Sequence, residues 1–397
     1  MRRSTERMLT TFVGSLARPT DLLTLMHAKE RGQPYDRAAY AQRVRSAVAD
    51  VVRRQAEAGV DIVSDGEQGK PGFNTYISER LAGFEAREMR PREGPWVDSR
   101  EERAFPEYYE WYAKQRGGNV AAPVSWVCTG SIAYKGQAVL QTDIENFQAA
   151  LAGVRVEEAF MPAISPASVE RGRRNEYYPT QEAYLYAIAE AVREEYRAIV
   201  DAGFILQIDD PFLATIYVVN PDASIEECRT WAAQHVEALN HAIRDIPPDR
   251  IRYHTCYGIN IGPRVHDMPL KDIVDIMLKV KAGAYSFEAA NPRHAHEWRV
   301  WQQVKLPQGS VLIPGVISHA TNLVEHPELV AEQLVKYAQM VGREHVIAGS
   351  DCGFSSQATM EPEVHPTVVW AKFQAMAEGA RLASAQLWGS RGTTTGR

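Results

Sequence analysis

Two residues with metal-binding side chains stand two apart in the segment YHTCYG, as His254 and Cys256, in a chain with only 11 histidines and four cysteines. Side chains at i and i+2 of an extended strand point to the same face, so the imidazole and the thiol can address one point. Cys352 lies in GSDCGF, before a glycine that permits a sharp turn. Glu288 closes the strand-like run in AYSFEAAN. One imidazole, two thiolates and one carboxylate are a donor set suited to tetrahedral Zn²⁺. Ligands spread over three separate strands suit a catalytic ion in an enzyme more than a compact zinc-finger motif. A buried cysteine taken singly is ordinary core filling; the conjunction of HxC, a strand-end Glu and DCG is what carries the metal reading. Cys228 shares a helical face with Ala232, Val236 and Leu239, and Cys128 sits in SWVCTG; both are read as packing residues.

Other groups could serve this centre. His319, in GVISHATN, is the best-placed histidine for a general acid that protonates a leaving group, its bland alternative being a hydrogen-bonded loop residue. Asp351 is read as a carboxylate that orients the His254 imidazole. His294 and His296, in NPRHAHE, are read as structural residues, the alternatives being supports of the metal site or a decoy metal site.

These residues must be held by alternating strands and helices. Strand-like runs are Leu9–Ser15, Asp61–Glu67, Ser125–Gly130, Glu158–Ile164, Phe204–Asp209, Ile251–Tyr257, Ala284–Ala289, Val311–Ile317 and His345–Asp351. Amphipathic helical stretches separate most of them. Asp36 and Thr180 are N-caps, Ser224 with Glu227 forms a capping box, and Pro269 and Pro327 sit near helix starts. Repeated β-then-α units imply a parallel sheet, and polar residues recur at the strand ends, where a (β/α)₈ TIM barrel carries its active site. The fold class is therefore α/β, one barrel domain over 1–397. Nine candidate strands are one more than closure needs, and Ser125–Gly130 is the extra. Residues 68–124, rich in Arg, Glu, Trp and Tyr, are read as a helical insertion after the second strand, either a lid or a solvated excursion.

Composition narrows the class. Apolar residues make up 45% and charged residues 24% of the chain, enough apolar material for a large core. The formal charge of −6 gives no general attraction to nucleic acid or an anionic membrane. No apolar run reaches the roughly 18 residues of a membrane span, and the N-terminus has no signal-type apolar core. The expected location is the cytoplasm, where thiols stay reduced.

TTFVGS (Thr10–Ser15), DGE (Asp65–Glu67), QIDDP (Gln207–Pro211), HTCYG (His254–Gly258), the strand ending in Glu288, and DCG (Asp351–Gly353) follow one another as in the catalytic, C-terminal half of cobalamin-independent methionine synthase. The chain resembles that family, within the zinc-dependent thiol alkyltransferases, over nearly its whole length. The resemblance implies a barrel with zinc on His254, Cys256, Glu288 and Cys352, and a thiol substrate bound to the metal as thiolate. It also implies that Ser15 and the Val13–Gly14 backbone hold a substrate carboxylate, and that Glu67 and Asp209 hold its ammonium. Two convergent acids suit a cation and otherwise repel each other. Asp210 is the weaker candidate. A further expectation is that an incoming thiol displaces or loosens Glu288. The partners implied are a small-molecule thiol and an alkyl donor, and the reaction is methyl transfer, homocysteine to methionine. The alternative is another alkyl electrophile, such as an epoxide, or another thiol. A barrel acting on a tetrapyrrole shares the fold but leaves the cysteines without a use. The sequence departs from the family after the fourth strand-like run, where MPAISPASVERGRRNEYY lacks the family's pterin-stacking tryptophan. Tyr177, Tyr178, Trp96, Tyr108 and Trp111 are the aromatic substitutes available.

Overall fold

The computed structural model describes residues 1–89, 94, 96–115, 119–258 and 262–389. Eight parallel strands form its centre: β1 (Leu9–Thr10), β2 (Ile62–Val63), β3 (Glu158–Ile164), β4 (Ile205–Asp209), β5 (Ile251–His254), β6 (Ala284–Phe287), β7 (Val311–Ile317) and β8 (Ile347–Ser350). Each lies beside its neighbour in chain order, with β1 against β8. The remaining edges meet where the Asp61 amide donates to the Thr10 carbonyl at 3.1 Å and the Thr11 hydroxyl to the Ile62 carbonyl at 2.9 Å. This is the (β/α)₈ barrel expected. Every residue of β4 and β7 is buried, as befits strands covered on both faces.

The helices form where caps and apolar spacing place them. Asp36 accepts the amides of Ala38 and Ala39 and starts a helix over Arg37–Glu57 that buries Val44, Val48 and Val52. Thr180 caps Gln181–Asp201, whose inner face carries Tyr184, Ile188, Val192 and Tyr196. The capping box of Ser224 and Glu227 opens Ile225–Ala242, and Pro327 is the first residue of Pro327–Val341. Pro269 differs. It precedes a 3₁₀ turn, Leu270–Asp272, and a single helical turn, Val274–Met277. Leu270, Ile273, Val274, Ile276 and Met277 are all buried, which is not the single-face spacing of a long surface helix.

Between β2 and β3 the chain leaves the barrel. Strand Leu81–Glu88 pairs antiparallel with Val124–Tyr134, and Arg173–Asn175 adds a third strand. The extra strand expected near Ser125–Gly130 is thus part of this separate sheet. The 68–124 segment, expected to be helical, carries helices Arg100–Ala104 and Pro106–Gln115 but also the strand Leu81–Glu88. That strand is exposed along its second half and charged, so it shows no apolar alternation. Its partner lies more than 30 residues on, outside any local window. The segment is fastened by a buried network. Arg80 pairs with Glu195 at 3.2 Å and with Asp143, and the hydroxyls of Tyr76 and Tyr134 each donate to Glu195 at 2.7 Å. Among the described residues, no helix is long and apolar enough to cross a membrane.

Candidate active site

The polar strand ends converge at the C-terminal mouth of the barrel. His254 is the last residue of β5. The Thr255 amide still donates to the Ser286 carbonyl of β6 at 3.0 Å, and the chain then turns away with Cys256. Cys352 lies two residues beyond β8, its carbonyl accepting from the Ser350 hydroxyl at 2.9 Å. Ligand atoms of His254, Cys256 and Cys352 all lie within 4.8 Å of one another, and all three residues are buried. The two Sγ atoms are 3.5 Å apart and not bonded. Two sulfurs at about 2.3 Å from a tetrahedral ion stand ~3.8 Å apart, close to this spacing. His254 Nδ1 contacts the Ser286 hydroxyl at 3.2 Å, while the buried Nε2 has no hydrogen-bond partner among the described residues. Burial, with the Arg252 cation adding to it, holds the imidazole down at about 3, so it is neutral with a free lone pair. The Cys352 thiol and then burial push the Cys256 thiol well above its ordinary range. An unpaired imidazole nitrogen and two facing thiols form a site that fits a metal ion.

Glu288, expected as a fourth ligand, lies outside this cluster. Its Oε1 accepts from the Tyr257 amide at 2.8 Å and from Arg264 Nη2 at 3.1 Å. Its Oε2 accepts from Arg264 Nη1 at 3.0 Å and from Asn291 Nδ2 at 3.2 Å. Burial opposes its ionisation, but Arg264, helped by His319 and His294, brings the carboxyl down to about 2.

Asp351 does not reach His254 by a hydrogen bond. Its Oδ1 accepts the amides of Ala289 and Ala290 at 2.7 and 2.8 Å, and Oδ2 that of Asn291 at 2.8 Å. Asp351 therefore shapes the turn after Glu288, and Ser286 is the group that meets His254. A side chain at a strand end finds bare amides of the next loop before it finds a ring across the mouth. Burial, then the Glu288 charge, raise Asp351 to about 7. His319 is buried beside the Gly258 backbone, with neither ring nitrogen in hydrogen-bond geometry among the described residues, and burial lowers its pKa.

A second group of polar residues gathers at the ends of β1, β2 and β4. Ser15 is buried, 3.5 Å from the Ser356 hydroxyl and 3.4 Å from the Ser355 amide. A Cβ on Gly353 would stand 2.0 Å from Ser15 Oγ, so the glycine of DCG is what lets these strand ends close up. Glu67, with a strained φ of 54°, and Asp209 are buried. Asp209 accepts from Gln207 Nε2 at 2.7 Å, and Glu67 Oε2 has no hydrogen-bond partner among the described residues. Burial raises both carboxyls, Asp209 well above its usual range, with the Glu67 charge adding to it. Asp210 accepts from the Tyr253 hydroxyl at 3.0 Å. The sequence reading missed the cations nearby. Arg18 lies 3.9 Å from Glu67, and Lys70 donates to the Pro162 carbonyl at 2.6 Å. Lys70 follows DGE by three residues, a signal that was open to use.

The insertion reaches this mouth. Gly258 has φ +75° and a Cβ there would lie 3.0 Å from the Trp96 ring. The buried Glu101 carboxylate accepts the amides of Arg264 and His266 at 3.0 and 2.7 Å. Tyr108 and Tyr112 stack on each other, Trp111 and Tyr177 are exposed, and Tyr178 accepts from the Ile132 amide at 2.9 Å. His296 is exposed. His294 stacks on Tyr257 with centroids 3.8 Å apart and pairs with Glu297 and Asp267 at 2.8 and 3.1 Å. Burial opposes its charge, yet these two carboxylates hold it up at about 9. A pKa above the unfolded value of about 6.5 means the folded state binds the proton more tightly. This stabilisation, ~3 kcal/mol by linkage, is full below pH 6.5 and is lost as pH rises through 9. Urea titrations should show the stability gap between wild type and His294→Gln shrinking over that window. A gap constant from pH 6 to 9.5 would exclude a charged His294.

Residues 8–110 and 132–372 match the family model described as cobalamin-independent synthase, catalytic domain. The methionine synthase of Thermococcus kodakarensis is 25% identical over 348 residues, 87% of this chain and 86% of its own length. That of Sulfolobus acidocaldarius is 25% identical over 346 residues, covering 87% and 85%. Among solved structures, a B12-independent methionine synthase from a Shewanella species, in complex with selenomethionine, superposes with a TM-score of 0.71 at 19% identity. It covers 97% of this chain and all of that one. A putative vitamin-B12-independent methionine synthase from Listeria monocytogenes gives 0.66 at 17% identity, with 97% and 100% covered. These structural likenesses concern the fold.

Proposed function

The chain belongs to the cobalamin-independent synthase catalytic-domain family, and on that premise we propose that it methylates the thiol of homocysteine to give methionine, with zinc held by His254, Cys256 and Cys352. The observation that carries this reading is the buried cluster of one imidazole and two thiols at the barrel mouth, beside two acids suited to an ammonium.

When bound, a zinc ion favours the thiolate form of the substrate sulfur, which is the nucleophilic form. The chain's own residues do the rest. Glu67 and Asp209 hold the ammonium, and their mutual repulsion is relieved when that cation arrives. Ser15 and the Val13–Gly14 backbone receive the carboxylate. His319, with both ring nitrogens unpaired among the described residues, carries a proton to the departing donor. Asp351 keeps the Glu288 turn in place. Helix Arg100–Ala104 and Trp96 cover the mouth as a lid that limits water. Glu67 and Asp209 favour an amino-thiol over a sulfonate thiol, which calls for basic residues instead.

The test is a thiol panel against the zinc-loaded protein with a set of methyl donors, read by mass. Methionine from homocysteine is the expected product, formed only with zinc. Product from an alkyl electrophile such as an epoxide, with none from any methyl donor, would favour the wider thiol transferase reading.

A further inference from the structure

The last helix, Pro366–Trp388, carries a charged side chain on its buried face, a cation that no step at the barrel mouth uses. Lys372 stands there with Val369, Phe373 and Met376, and its side chain is wholly buried. An ammonium has three hydrogens, and three acceptors meet this one: both oxygens of Glu325, each at 2.9 Å, and the Leu323 carbonyl. Glu325 Oε1 also accepts the Ser318 amide at 2.8 Å, and the Ser318 hydroxyl in turn accepts the Ala320 amide at 3.2 Å. These contacts bracket His319, at the start of the loop that follows β7. Further along the loop, Asn322 donates to the Glu363 carbonyl at 3.3 Å and accepts the amide of His365, the N-cap of the same helix, at 2.9 Å. The His319 ring is buried, with neither nitrogen in a hydrogen bond among the described residues. Packing and the backbone that carries it therefore decide where it points.

We infer that Lys372 is a positioning residue: through Glu325 it fixes the turn Ser318–Ala320 and so holds the His319 ring in place for proton delivery. This rests on the reading of His319 as the group that protonates the departing donor. Swinging Glu325 away from Ser318 would strand a buried ammonium, so the carboxylate cannot release that amide cheaply. An exposed ion pair would impose no such constraint. Proton transfer needs heavy atoms about 2.6–3.2 Å apart, and a misplacement of ~1 Å costs about 10²-fold in rate. A ring with no hydrogen bond of its own is the kind of group for which the backbone must supply that precision. The competing role for the pair is a staple that adds stability and leaves the ring where it is.

The experiment follows the ring itself, by carbon–proton spectra of protein labelled at its histidine rings, with the His319 signal assigned by its loss in His319→Gln. In Lys372→Met that signal is expected to move by more than its linewidth, while the signal of His235, on another helix, stays. Kinetics use methyltetrahydrofolate, whose leaving nitrogen must gain a proton, and iodomethane. In the second case the C–S bond forms as iodide leaves with the C–I electron pair, and no proton is needed. Lys372→Met should lower kcat with methyltetrahydrofolate by about 10²-fold, with the KM for homocysteine little changed and iodomethane still alkylating homocysteine at close to the wild-type rate. In a His319→Gln background the same substitution should cost less than about threefold more, because residues that act through one group do not add. Should Lys372→Met not fold, Lys372→Met with Glu325→Leu removes both charges at once and is expected to shift the ring signal as far, since the Ser318 amide loses its acceptor. An unmoved His319 signal in the folded variant overturns the inference. So do losses that add fully in the His319→Gln background, or an equal loss with iodomethane. A displaced ring in a protein that forms no methionine from any donor supports the positioning and overturns the functional reading instead.

Discussion

Cys352→Ser should reduce methionine formation by at least about 10³-fold while leaving a folded barrel. A free aliphatic thiol with a pKa near 8.5 is only about 3% ionised at pH 7. On the zinc reading proposed above, its activation depends on the ion, and the ion depends on soft anionic sulfur. Serine keeps the shape but stays protonated, so it offers no anion. If ~10–16 kcal/mol of zinc binding is shared among its ligands, one of them is worth roughly 10²–10⁴ in affinity. Metal content by mass spectrometry and turnover should fall together, with circular dichroism unchanged. The side chain packs 3.5 Å from the Cys256 sulfur at a strand end and not within a helix or sheet interior, so the fold tolerates the change. Wild-type turnover in this variant would end the zinc-thiolate account.

Asp209→Asn should raise the KM for homocysteine by about 10²–10³, the effect of removing one partner from a buried charge pair. It should do so with little change for a thiol of similar length that lacks the amino group. The same substitution removes one of two repelling carboxylates from a buried site, so the substrate-free protein should become more stable, not less. These two directions together are diagnostic. A rim carboxylate satisfied by Arg18 or Lys70 would give lower stability and an unchanged KM. Substrate kinetics with both thiols, beside a urea titration of the free enzyme, decide between them.

The barrel was legible because its signals are local. Asp36, Thr180 and the Ser224–Glu227 box cap helices where the apolar spacing begins, and buried parallel strands leave short runs of apolar residues. Local rules read less well where the chain leaves the repeat. The strand Leu81–Glu88 ends in charged, exposed residues and has a partner beyond any window, and the turn after Pro269 has too many apolar positions for one helical face. Among the site residues, His254, Cys256 and Cys352 stood out by residue type, and the parallel barrel topology brings their strands to one end.

By itself, then, the sequence determined which chemistry was available: thiols, an imidazole and acids at strand ends, in an order that a barrel converts into one mouth. Only the tertiary structure decided how those groups are shared out. Arg264, 24 residues before Glu288 and unremarked in sequence, takes that carboxylate in a bidentate pair. Asp351 takes three amides of the neighbouring turn, and Ser286 meets His254. The physical reason is that a charged side chain in a buried site settles on whichever donors surround it in space, and spacing along a chain does not say which those will be.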